Sequence, residues 1–197
     1  MNADPTLAPE QAHARLAELI VVDVRTPGEY AAGHLPGAHN IPLDDLDRAL
    51  PALRTAADRG DLLLVCASGA RSTRACARLD EQGVTATTLA GGTNRWTELG
   101  HDVHRPAGAR AVWGMERQVR FAAGSLVLAG LLAGRRVGGA RLLSAGVAGG
   151  LVFSALTDTC GMARLLSKLP HNRPRPGDLD ATLAELSELS ERSEPND

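Results

Sequence analysis

Cys66 stands between an apolar run, Leu62-Leu63-Leu64-Val65, and a helix-forming segment, residues 72–79. The apolar run reads as a fully buried parallel strand, and the helix that follows stops at Gly83, a C-terminal cap. Between them lie Ala67, Ser68, Gly69, Ala70 and Arg71. A cysteine at a strand's carboxyl end, opening a helix, occupies the place where α/β folds hold their ligands. The helix dipole and the loop's free N–H groups favour an anion there, so the chemistry indicated is that of a nucleophilic thiolate. Gly69 lets the loop curl with its amides inward, and Arg71 adds a permanent positive charge. The same local pattern also suits a buried, inert cysteine beside an ordinary turn.

The surrounding chain must position this loop. Residues 9–19 predict a helix with a proline in its first turn and Glu10 favouring the dipole. Residues 20–24 predict a short strand, after which Asp23 and Arg25 are placed to pair and brace the sheet edge near the loop. Residues 27–32 read as a short helix that sets Glu29 to meet a nearby arginine. Residues 33–42 hold two prolines and two glycines, hence a loop with a short strand at 38–41. A helical spacing of Leu43, Leu46, Leu50 and Leu53 covers residues 43–58. Residues 84–89 predict a β-branched strand, and residues 94–99 a short helix with Trp96 in the core. Strands alternating with helices give a parallel sheet flanked by helices on both faces.

Three segments carry a more specific message: Val21-Val22-Asp23-Val24-Arg25-Thr26-Pro27-Gly28-Glu29-Tyr30, then Gly33-His34-Leu35-Pro36-Gly37-Ala38-His39-Asn40-Ile41-Pro42, then Leu89-Ala90-Gly91-Gly92-Thr93-Asn94-Arg95-Trp96. In order and spacing around the cysteine loop they resemble the signature segments of the rhodanese family over about residues 6–104. The resemblance implies a sulfurtransferase fold in which Cys66 carries a persulfide, with His34 and His39 in the scaffold. Many members place arginine directly after the cysteine. Here Ala67 stands there, which removes one anion-binding group and sets persulfide donors beside thiosulfate. A phosphatase of related fold would show Cys-x5-Arg. Only four residues separate Cys66 from Arg71, a smaller ring suited to sulfur.

Composition narrows the rest. A net charge of −2 and the lack of a basic run with interleaved aromatics exclude a nucleic-acid partner. Cysteines 66, 76 and 160 are too scattered for a disulfide framework and show no zinc spacing. Neither a metal nor a cofactor is expected. Cys76 reads as core packing and Cys160 as a small residue at a helix end. The first six residues lack the basic flank and apolar core of a signal peptide.

Beyond the catalytic part, residues 1–104, a linker over 105–111 precedes two uncharged runs, 121–134 and 142–157, with Arg135, Arg136 and Arg141 between them. The first run gives about 21 Å of helix, against about 30 Å for a bilayer core. A soluble pair could not sustain faces so poor in polar groups, and flanking arginines extend the span by snorkelling. Gly130 with Gly134, and Gly146 with Gly150, have the spacing of close membrane-helix contacts. Residues 112–169 resemble the two-helix membrane domain that bacterial inner-membrane rhodaneses carry after their catalytic part. That implies an all-α transmembrane hairpin in the lipid bilayer with both ends on one side; the small-residue faces of its helices are expected to join two copies into a homodimer. Basic residues at its outer ends outnumber those in its loop, which puts the rhodanese domain in the cytoplasm. Residues 170–197 form a polar, partly disordered tail, in which 178–192 fit an amphipathic helix for the membrane or a partner.

The expected reaction is sulfur transfer from thiosulfate or a persulfide, through Cys66, to a thiol or cyanide. Arg71 anchors the loop, and Arg74 draws in anionic donors. The competing expectation is a membrane-tethered redox sensor or interaction module whose Cys66 is modified once and turns over little.

Overall fold

The computed structural model describes residues 6–105, 113–137, 139–157, 161–167, 169 and 178–191. Two compact units share the chain, the first within residues 1–112 and 174–197, the second within 113–173.

The first unit is built on five parallel strands: β1 (Thr6–Leu7), β2 (Leu19–Asp23), β3 (His39–Asn40), β4 (Asp61–Val65) and β5 (Thr87–Leu89). Their order across the sheet is β1-β5-β4-β2-β3. In β4 the side chains alternate. Leu62 and Leu64 enter one core, and Leu63 and Val65 the other. Both faces of β4 are therefore buried, which is why its sequence is continuously apolar rather than alternating. Helices α3 (Leu46–Ala57) and α4 (Ala70–Asp80) cover the face that also receives Cys66. Helices α1 (Pro9–Ala14) and α5 (Gly92–Glu98) cover the other, bringing Ala12 and Trp96 to the core. Between β2 and β3 lies α2 (Pro27–Ala31).

Three local outcomes differ from the sequence expectation. β1 is only two residues long, too short to show a period, and draws its identity from pairing with β5. The helix expected over 9–19 ends at Ala14, and a 3₁₀ turn at Leu16–Glu18 leads into β2. The strand expected from residue 84 begins at Thr87, because the Val84 N–H closes α4 by donating to the Leu79 carbonyl at 2.9 Å. Gly83, at φ +73°, makes that reversal.

The tail helix α9 (Asp178–Glu191) belongs to this first unit. Leu179 and Leu186 are buried in the α3 side of the core, with Leu183 packed beside them. The amphipathic face left open between membrane and partner in the sequence is thus occupied by the protein's own α3. The Arg48–Asp180 ion pair at its edge is solvent-exposed and contributes little, so apolar burial holds the helix. Leu186→Ala is expected to cost about 2–4 kcal/mol. Urea unfolding of the full chain in detergent, with hydrogen exchange across 178–191, measures it, and unchanged exchange in α9 would contradict this packing. Residues 193–197 lie outside the described residues.

The second unit contains α6 (Met115–Ala133), α7 (Ala140–Thr157) and α8 (Gly161–Ser167). Helices α6 and α7 approach closely at Gly130, where a Cβ would run into the Ser144 side chain and lie 3.0 Å from the Ala140 carbonyl. Ser144 Oγ donates to the Val127 carbonyl across this contact at 2.9 Å. Gly134 packs on the Arg141 side chain, whereas Gly146 and Gly150 face open space. Phe121, Leu128, Leu142 and Phe153 are exposed apolar side chains on these helices. At 19 and 18 residues, α6 and α7 run about 28 and 27 Å. Among the described residues no helix is long and apolar enough to cross a membrane. Arg117 and Arg120 lie in the first two turns of α6 and shorten its apolar stretch. The linker from residue 106 and Cys160 lie outside the described residues.

Candidate active site

The chain leaves β4 at Val65, turns through residues 66–69 and enters α4 at Ala70. Gly69 caps α4 at φ +103° and offers no side chain to the helix's first amides. Those orphan donors need another acceptor, and the buried Cys66 sulfur supplies it. The Gly69 N–H donates to Sγ at 3.1 Å and the Ser72 N–H at 3.4 Å, with Ser72 Oγ at 3.5 Å. Donors fixed toward one sulfur stabilise a negative charge on it or on an atom attached to it. Ser72 was missed at the sequence level, where it served only to open the helix. The signal was available: it is the third residue after a side-chain-less cap.

A second helix end holds the loop from the other side. The Thr93 N–H donates to the Cys66 carbonyl at 2.8 Å and the Asn94 N–H to the Ala67 carbonyl at 3.0 Å, so early amides of α5 are spent on the cysteine loop. Gly92 makes this approach possible. It sits at φ +59°, and a Cβ there would collide with the Cys66 carbonyl and the Ala67 backbone.

Charge enters through Arg71. Its guanidinium forks onto Glu29, Nη1 to Oε2 and Nη2 to Oε1, both at 2.8 Å. Glu29 is buried and held by Thr26, whose N–H and hydroxyl donate to its carboxylate while Thr26 Oγ1 caps α2. Burial opposes the Arg71 charge, but the Glu29 hydrogen bonds and charge, with smaller help from Cys66 and Asp23, leave its pKa above the ordinary arginine value. Arg71 therefore ties α4 to α2 with a bidentate clamp, and its field reaches Cys66.

The other residues singled out in the sequence lie as follows. Asp23 and Arg25 form a buried pair, with Nη2 to Oδ2 at 2.6 Å, and Arg25 also donates to the Gly33 carbonyl at 2.7 Å. Asn40 donates to the Asp23 and Arg25 carbonyls, both at 2.9 Å, and so fastens β3 to the same corner. The pair braces the sheet edge rather than touching the sulfur. Arg74 lies exposed on the next turn of α4. His34 is buried, with Nδ1 on the Tyr30 carbonyl and Nε2 on His104, and His39 meets Glu185. Trp96 is buried and donates its indole N–H to the Asp102 carbonyl. Cys76, on α4, packs in the core. Among the described residues no group of three or more His, Cys, Asp or Glu is arranged to hold a metal ion. Around the sulfur, Ala67, Ser68 and Ala70 present only small, uncharged, half-buried or exposed side chains, and Gly69 none.

A profile of the rhodanese-like domain matches residues 8–99. An uncharacterized protein of Synechocystis sp. is 38% identical over 157 residues, 79% of this chain and 85% of that one. The chain belongs to the rhodanese family. A sulfurtransferase of Allochromatium vinosum is 36% identical over 103 residues, covering 50% of this chain and 94% of its own. A thiosulfate sulfurtransferase of Stutzerimonas stutzeri is 38% identical over 93 residues, 46% of this chain and 82% of that protein. Together, the rhodanese domain and these relatives support a sulfurtransferase activity. A second profile, for the transmembrane domain of inner membrane proteins like YgaP, matches residues 112–175 and indicates an inner membrane protein. Helix α9 lies beyond both matches.

Proposed function

We propose that the protein moves sulfane sulfur from a small donor to a thiol or cyanide through a persulfide on Cys66. The observation that carries this reading is the pair of backbone amides, Gly69 and Ser72, aimed at a single buried sulfur. In the first half-reaction the Cys66 thiolate attacks the outer sulfur of the donor. A new S–S bond forms, the donor's own sulfur bond breaks, and its electron pair leaves with sulfite, if the donor is thiosulfate, or with a thiolate, if it is a persulfide. In the second, the acceptor attacks the outer sulfur, takes it, and returns the electron pair to Cys66. The amides hold the anionic outer sulfur in between, as an oxyanion hole holds oxygen.

The loop bears on the choice of donor. Arg71 is committed to Glu29, and Ala67 to Ala70 supply no cation. A compact dianion such as thiosulfate therefore meets no uncommitted cation within residues 67–71, while small side chains leave room for the body of a low-molecular-weight persulfide. Residues 112–175 anchor the domain at the inner membrane on the cytoplasmic side, and the open Gly146–Gly150 face of α7 joins two copies.

Turnover of detergent-solubilised protein with thiosulfate and glutathione persulfide in parallel tests this. Both donors are expected to react, and Ala67→Arg is expected to raise the rate ratio toward thiosulfate about tenfold, the scale of one charge-assisted hydrogen bond. No turnover with either donor, while Cys66 remains readily alkylated, would replace the enzyme with a redox sensor.

A further inference from the structure

We propose that Thr88 is a positioning residue for Cys66, acting through the Ser72 hydroxyl; this deepens the sulfurtransferase reading and rests on it. Ser72 lies fully buried on the first turn of α4, and Thr88 lies buried on β5, opposite Leu64 of β4. Their hydroxyl oxygens are 2.5 Å apart. Ser72 Oγ carries one proton and has two further neighbours, the Gly69 carbonyl at 2.9 Å and Cys66 Sγ at 3.5 Å. A carbonyl only accepts, and so does an anionic sulfur. With the Ser72 proton on either of these two, the proton in the short contact is Thr88's.

That assignment gives Thr88 a task. Its donation occupies a lone pair on Ser72 and confines the Ser72 proton to the arc between the Gly69 carbonyl and the sulfur. It also polarises the serine, which becomes the stronger donor. While Cys66 is a neutral thiol, the proton holds the Gly69 carbonyl and so the loop whose amide faces the sulfur. When the charge sits on Cys66 or on an attached sulfur, the same proton turns to it with no backbone movement. A valine at position 88 would fill the same space and leave the serine rotor unconfined.

The test uses the full chain in mild detergent and follows iodoacetamide alkylation of the Cys66 peptide against pH, alongside sulfur transfer. Thr88→Val is expected to displace the alkylation profile to higher pH and to slow transfer at neutral pH about fivefold, the worth of one hydrogen bond. Thr88→Ser restores both. Thr88→Val combined with Ser72→Ala is no worse than Ser72→Ala alone, since both act on one proton. A wild-type pH profile in Thr88→Val, or effects that multiply in the double variant, would overturn the proposal. Should Thr88→Val fail to fold, Ser72→Ala decides: it shows the same displacement, and a wild-type profile there sinks the idea. Absent transfer in wild-type protein would remove the sulfurtransferase reading, yet the alkylation profiles would still decide the role of Thr88.

Discussion

Cys66→Ser is expected to lower sulfur transfer by at least about a thousandfold, the scale on which loss of a nucleophile acts. Serine occupies nearly the same volume, so the fold has no reason to change. The Gly69 and Ser72 amides now face a hydroxyl oxygen instead of the sulfur they meet at 3.1 and 3.4 Å. A hydroxyl does not ionise near neutral pH and forms no stable bond to a sulfane sulfur, so the first half-reaction has no nucleophile. His34 spends its ring nitrogens on Tyr30 and His104, and His39 faces Glu185, so neither activates it. Rates with thiosulfate and with glutathione persulfide, read beside the thermal midpoint of each protein, check this. Transfer retained in a folded Cys66→Ser protein would move the chemistry elsewhere.

Glu29→Ala is expected to damage stability and activity together. It leaves the Arg71 guanidinium, 22% exposed, facing a pocket built for a carboxylate. Removing one partner of such a pair costs about 3–5 kcal/mol, because the remaining charge stays desolvated. The cap of α2 is lost as well, since Thr26 and Glu29 satisfy each other's backbone donors. Glu29→Gln separates the two effects. It keeps a side chain that can serve the cap and removes only the charge, so its stability should fall between wild type and alanine. Denaturant unfolding of the three proteins gives the ranking, and equal stability of wild type and Glu29→Ala would contradict the clamp. The loss of activity follows from geometry, because Arg71 and Ser72 share the first turn of α4 and a loosened Arg71 lets the Ser72 amide drift from the sulfur.

The parts of this site that lie close in sequence were legible without coordinates. Strand, cysteine, glycine cap and helix run through residues 62–80 without interruption, and each step follows from local propensity. Asp23 and Arg25 are two residues apart, so their pairing at a strand end was equally visible. Glu29 could be assigned an arginine partner but not which one, since Arg71 lies 42 residues away and only the β2–β4 pairing brings the two helices together. Thr88 read only as a β-branched strand residue, for the same reason. The place of α9 was hidden differently. Its leucine spacing specifies an apolar face and says nothing of what covers that face, and its partner α3 lies more than a hundred residues upstream. The small-residue spacings in α6 and α7 looked equivalent in sequence. Packing separates them, with Gly130 at the contact between the helices and Gly146 in the open.

In the proposed reaction Cys66 carries the sulfur between donor and acceptor. Intact-mass measurement of the full-length protein, after brief exposure to glutathione persulfide and removal of the donor, tests it most directly. The expected result is a mass gain of one sulfur atom, mapped to the Cys66 peptide, that disappears when cyanide or a thiol is added and never forms in Cys66→Ser. Sustained transfer with no added sulfur on Cys66, or a stable adduct that no acceptor removes, would contradict it.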